Sequence, residues 1–184
     1  HPRSHYTNAD SHTGYASIRD ALDVERNFHF QLRQKVLKPT QITGTGCAAC
    51  GTNTAQATYA AATGLATSQT DFMGNKSVYA YDDDGLETCR IEGVAPANPT
   101  TNAPRRVVTA WDGTFRVPTE VRVYEVSGSP DLAVCSAADD TGWSLRRKTT
   151  TTYEADSARI ATRTERSYQG TTEDEAPRTT TYAY

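Results

Sequence analysis

The chain has 184 residues, 36% of them hydrophobic, and a formal charge of −3 from 19 basic and 22 acidic side chains. No stretch approaches the roughly 18–20 apolar residues that span a bilayer as a helix, and the balanced total makes no overall field that would draw nucleic acid or an anionic membrane. The apolar supply is thin for one thick core at a mean hydropathy of −0.65, whereas Thr is the commonest residue and Tyr numbers 10, a bias toward pleated, half-buried surfaces and so toward an all-β fold.

Residues 1–17 read as a lead-in without a clear element. The chain begins at His1 without a basic–apolar signal stretch, which suggests a processed or excised piece. The best helical candidate, Tyr15 to Leu37, does not sustain an i, i+3, i+4 stripe, and Asn27–Leu32 inside it alternates as a strand does. Further alternating runs are Ser77–Tyr81, Arg116–Val126 and Thr149–Tyr153. Turn residues separate them at Gly44–Gly51, Asp82–Gly85, Gly93–Pro104, Asp112–Gly113, Ser127–Asp131 and Asp139–Gly142, and Glu173-Asp174-Glu175 reads as a solvated hairpin tip. The expectation is antiparallel β-hairpins over 18–184 as a single continuous piece.

Internal echoes sharpen this. Asp20-Ala-Leu-Asp23 followed by Phe28-His29-Phe30 aligns without a gap on Asp71-Phe-Met-Gly74 followed by Tyr79-Ala80-Tyr81. Pro39-Thr40-Gln41-Ile42 echoes Pro118-Thr119-Glu120-Val121, and the final Thr181-Tyr182-Ala183-Tyr184 echoes Val78-Tyr79-Ala80-Tyr81; Tyr59–Gly64 and the stretch from Tyr153 are degenerate relatives. Asp followed by Gly supplies a turn with a positive φ available at the Gly. Tyr-x-Tyr puts two rings on one face of a strand, so stacked units would build an aromatic ladder. Each unit is too small to bury its own apolar face and needs neighbours.

Gly74-x4-Tyr79-x-Tyr81-Asp82-x2-Gly85-Leu86 resembles the tyrosine–aspartate (YD) repeat of the Rhs family. Asp71–Asn75, Thr109–Thr119 and Gly46-Cys47-Ala-Ala-Cys50-Gly51 are similar to stretches of bacterial Rhs cores. The resemblance implies an all-β fold in which antiparallel hairpin repeats form a curved sheet, part of a hollow β-shell. It also implies a secreted or cell-surface bacterial protein whose shell encloses a toxin or effector cargo. Tyr79, Tyr81, Asp82 and Gly85 carry the clear repeat, with Phe28, Phe30, Tyr182 and Tyr184 as equivalents. Neither the family's aspartate-based self-cleavage motif nor a toxin domain is visible, and the sequence reads as stopping in mid-repeat at Tyr184, after which the family motif would next show Asp. The segment therefore reads as structural, not enzymatic, without a cofactor. Its expected partners are neighbouring repeats and an enclosed toxin domain. With strand edges open, the isolated chain is expected to self-associate as a homo-oligomer.

The chemical alternatives are weaker. Four cysteines, Cys47, Cys50, Cys89 and Cys135, allow two disulfides in three pairings. Cys47-x2-Cys50 is half of a zinc site, but all four His lie within the first 29 residues without metal spacing. Asp82-Asp83-Asp84 lacks the alternating ligands of a calcium loop. No Gly-x-Ser-x-Gly or phosphate loop is present. Tyr79, Tyr81, Trp111, Phe115 and Trp143 are the candidates for stacking on a carbohydrate, which keeps an extracellular adhesin or glycan-binding module as the alternative and a small secreted hydrolase as the weaker one.

Overall fold

A computed structural model describes residues 3–7, 13–19, 21, 25–44, 54–94, 103–169 and 172–184. Its described residues hold antiparallel strands and no helix, in line with the all-β expectation. The chain divides into two compact units, residues 1–77 with 95–97, and residues 78–94 with 98–184. The boundary expected at 17/18 falls inside a strand, and the described residues of the helical candidate Tyr15–Leu37 belong to three strands and the turns between them.

In the first unit, strands β1 (Arg3–Thr7), β2 (Thr13–Arg19), β3 (Glu25–Arg33), β4 (Val36–Gly44), β5 (Thr54–Tyr59) and β6 (Ala66–Thr70) pair in chain order. Directly opposed residues share a face. Phe28 lies between Ala16 and Ile42, and Phe30 between Gly14 and Pro39; Ile42 faces Ala55 on β5. That face is apolar. The other carries Tyr15, His29, Gln41, Gln56 and Thr70 in one row. No apolar side chain described in this unit is fully buried; the buried positions are Gly14, Gly64 and Gly74.

The second unit runs through β7 (Lys76–Tyr81, whose first two residues count with the first unit), β8 (Glu87–Val94), β9 (Arg105–Trp111), β10 (Pro118–Val126), β11 (Trp143–Tyr153) and β12 (Ile160–Gln169). Two short strands, β13 (Thr172–Glu173) and β14 (Arg178–Thr181), both pair with β12. Register puts Cys89 against Val108, Ile91 against Arg106, Arg106 against Tyr124, and Val126 against Trp143. Those residues line one face, and the β10–β11 connection, 127–142, supplies Leu132, Cys135 and Ala137 over it. Val78, Cys89, Ile91, Val108, Tyr124, Cys135 and Trp143 form the buried cluster.

Two details differ from expectation. The run Arg116–Val126 begins as a strand only at Pro118, because Arg116 sits in the preceding turn at φ 54°. The Gly93–Pro104 loop starts later, since Gly93 and Val94 still belong to β8. Gly44, expected to open a turn, is the last residue of β4; the rest of that turn, 45–51, and most of the first Asp repeat, 20 and 22–24, lie outside the described residues.

Candidate functional site: repeated latches and an arginine clasp

The Pro-Thr echo is a repeated structure. Opposite Pro39 the ladder skips one residue, so Thr40 bulges out and its hydroxyl donates to the His29 carbonyl at 3.3 Å. Opposite Pro118 the ladder skips Thr119, whose hydroxyl donates to the Ala110 carbonyl at 3.2 Å. Proline cannot donate to a ladder, and the adjacent Thr hydroxyl supplies a substitute bond. Each freed proline carbonyl takes a tyrosine hydroxyl from the following strand: Tyr59 to Pro39 at 2.9 Å and Tyr153 to Pro118 at 2.8 Å. Each tyrosine ends its strand beside a second bulge, after a Thr whose hydroxyl bonds across the ladder, Thr58 with Ser68 at 2.8 Å and Thr152 with Thr162 at 2.6 Å. Strands β3–β6 and β9–β12 therefore follow one plan. Burial pushes the Tyr59 and Tyr153 hydroxyls above their ordinary pKa, so both remain donors.

The hairpin tips repeat as well. Asp71, Asp82 and Asp112 each stand at the first tip position with the Oδ1 atom accepting two backbone N–H groups. These come from Met73 and Asn75, from Asp84 and Leu86, and from Thr114 and Phe115, at 2.8–3.1 Å. This is an Asx-type turn. The tip closes through a residue at positive φ: Gly74 at 83° and Gly85 at 80°. After Asp112 that residue is Arg116, not the expected Gly113. The tips after Tyr59 and Tyr153 close through the same pair of backbone bonds, from Ala60 and from Glu154. Ala60 has no carboxylate to staple its tip.

Arg106 anchors the second unit's lid. It is 1% exposed, with its guanidinium carbon 4.1 Å from the Tyr124 ring centre and 5.3 Å from that of Trp143. It donates to the Ser136 carbonyl at 3.2 Å, to the Asp139 carbonyl and to the Asp140 carboxylate. A buried charge is tolerated only when so paired. Tyr124 donates to the other Asp140 oxygen at 3.2 Å and accepts from Arg122 at 3.1 Å; burial raises its pKa. Cys89 and Cys135 form a disulfide with Cα atoms 5.7 Å apart. At the neck of the lid Gly142 has φ 77°, and a Cβ there would stand 2.6 Å from the Pro130 nitrogen, so only glycine fits.

The aromatic pairs of the two aligned repeats have the same geometry. Phe28 and Phe30 lie 6.4 Å apart at 18°, Tyr79 and Tyr81 6.5 Å apart at 25°. In the first unit the pair faces small or aliphatic residues across the strands, so the rings stack along the strand and not as a cross-strand ladder. The terminal echo does not repeat the geometry: β14 ends at Thr181, and Tyr184 lies under the Arg159 guanidinium at 5.4 Å. Asp82 and Gly85 are tip residues, as above. Cys47 and Cys50 lie outside the described residues. The Trp111 indole donates to the Glu87 carbonyl at 2.9 Å and Trp143 is 9% exposed, so both tryptophans are engaged in packing. Among the described residues no group of three His, Cys, Asp or Glu is placed to hold a metal. Sequence reasoning did not find Arg106 or the tyrosine latches. The Pro-Thr echo marked the bulges, but a latch partner 20 or 35 residues away carries no local signal. No helix of the described residues is long and apolar enough to cross a membrane. No family model and no curated protein matches the chain.

Proposed function

We propose that the chain is a structural segment of a β-hairpin wall of the Rhs/YD-repeat kind, secreted or on the bacterial cell surface, that encloses a toxin or effector cargo and performs no chemistry itself. The observation that carries the reading is the repetition of one plan, a Pro-Thr bulge, a tyrosine latch and stapled tips, in both units. The Cys89–Cys135 disulfide suits an oxidising compartment. Electron micrographs of the longest natural chain containing this segment should show a hollow particle; a solid or extended one refutes the reading.

The isolated chain is proposed to self-associate through strand edges. Among the described residues β14 pairs only with β12, and its Arg178–Thr181 are all exposed, leaving one edge to template a further strand. Light scattering should show growth with concentration that Thr180→Pro reduces. A monodisperse monomer at high concentration refutes this part alone.

A further inference from the structure

We propose that the paired tips of the β3–β4 and β5–β6 hairpins form a docking surface for an anionic lipid bilayer. The net charge of −3 hides a local asymmetry: residues 26–70 contain no Asp or Glu but four permanent cations, Arg26, Arg33, Lys35 and Lys38. Three of these stand near the β3–β4 tip: Arg33 at the end of β3, the exposed Lys35 in the turn, and Lys38 in β4, whose ammonium lies 6.0 Å from the Tyr59 ring centre. Among the described residues no carboxylate pairs with Arg33, Lys35 or Lys38.

Two apolar side chains beside the turn are exposed, Val36 at 52% and Leu37 at 42%; opposed to Arg33 and to Leu32, they leave the hairpin end on its two faces. The adjacent tip adds exposed Ala61 and Ala62. The two tips are tied into one platform, because the Gln34 amide donates to the Ala62 carbonyl at 2.6 Å and reaches that of Ala61 at 3.4 Å. Gly64 at φ 68° has the Gln34 side chain 3.4 Å from where its Cβ would be, so the second tip packs closely on the first.

The turn itself favours this reading. Gln34 and Lys35 both have positive φ, at 48° and 63°. A two-residue turn of that kind ordinarily takes Asn-Gly. Two long side chains are held there against their backbone preference, and strain of this sort marks a site under functional constraint. A hairpin end with an exposed apolar side chain on each face and cations beside it fits a bilayer surface better than a polyanion in water: apolar groups enter the headgroup–acyl boundary while the cations meet lipid phosphates and carboxylates.

The test is sedimentation of the whole chain with phosphatidylcholine vesicles with and without phosphatidylserine. Binding is expected to the anionic vesicles, weakened by salt. Lys35→Gln and Lys38→Gln should each weaken it about fivefold. Val36→Ser with Leu37→Ser should weaken it about tenfold at unchanged charge. The Val36→Trp variant should show a blue-shifted emission on anionic vesicles relative to the parent chain, whose own tryptophans, Trp111 and Trp143, lie in the other unit. Absence of binding, no loss on the double Ser variant, no emission shift in the Val36→Trp variant, or equal affinity for a single-stranded oligonucleotide would each overturn the proposal.

Discussion

The two units share strand order, bulges, latches and tips, yet only the second covers its apolar face. There the β10–β11 connection folds back as a lid held by a disulfide and by Arg106, and seven apolar side chains disappear from solvent. In the first unit the apolar face, with Phe28, Phe30, Ile42 and Tyr59, stays half-exposed among the described residues and contains a groove of about 260 Å³; by the Pro-Thr register it matches the Thr109 and Val121 face of the second unit, opposite the one the lid covers. The repeat builds sheet. Burial comes from what the connections add to it. A single antiparallel sheet with one bare face gains less from apolar burial, which scales with the area removed from water.

The largest test of this contrast removes the lid's covalent tie. Replacing Cys89 and Cys135 together by Ala opens a loop spanning 46 residues and should cost about 4 kcal/mol, read as a lower denaturant midpoint. If the cost is below about 1 kcal/mol, under the roughly 2–4 kcal/mol that such a bridge typically contributes, the lid is not what stabilises the unit. Matched aromatic truncations come next. Tyr124→Ala, at a buried position, should cost about 3 kcal/mol, whereas Phe28→Ala on the uncovered face should cost about 1 kcal/mol. Equal losses would mean that the first unit's face is covered after all.

Smaller effects test the tips. Asp112→Ala should destabilise by about 1 kcal/mol through the loss of two backbone hydrogen bonds, and Ala60→Asp should stabilise by a similar amount by supplying the staple its tip lacks. An Ala60→Asp variant no more stable than the parent would show that the two tips are not equivalent. The smallest effect is in pH. Burial alone would raise the Asp71 carboxyl, but hydrogen bonds from the Asn75 amide and from the N–H groups of Asn75, Met73 and Gly74 outweigh it and hold it below the ordinary value. A depressed folded pKa contributes stability that is fully present above the unfolded value, about 3.9, and is lost as pH falls through the folded one. Asp71→Asn should therefore flatten the acid limb of the stability curve and leave its shape at neutral pH unchanged.

Strand by strand, much of the fold was legible in residue order. Alternation in Asn27–Leu32 and Ser77–Tyr81 marked strands because side chains on a pleated ribbon alternate faces, and Asp-x-x-Gly marked tips because one carboxylate and one αL residue close a short turn locally. Arg116 misled because its αL conformation is uncommon for a residue with a Cβ. Tyr182–Tyr184 misled because the partner strand runs out: the Tyr182 N–H still donates to the Ala161 carbonyl at 3.0 Å, but β12 begins at Ile160.

By itself, then, the sequence determined the all-β class, the placing of most hairpins and the Pro-Thr and Asp repeats, all of which depend on neighbours within a few positions. The tertiary structure alone decided that Cys89 joins Cys135, that Tyr59 and Tyr153 latch onto proline carbonyls, that Arg106 is buried against two rings, and that the Gln34 amide ties the β3–β4 tip to the β5–β6 tip. Each of these joins groups far apart in the chain. Their approach depends on strand register and on where a connection folds back, and neither is written in local composition.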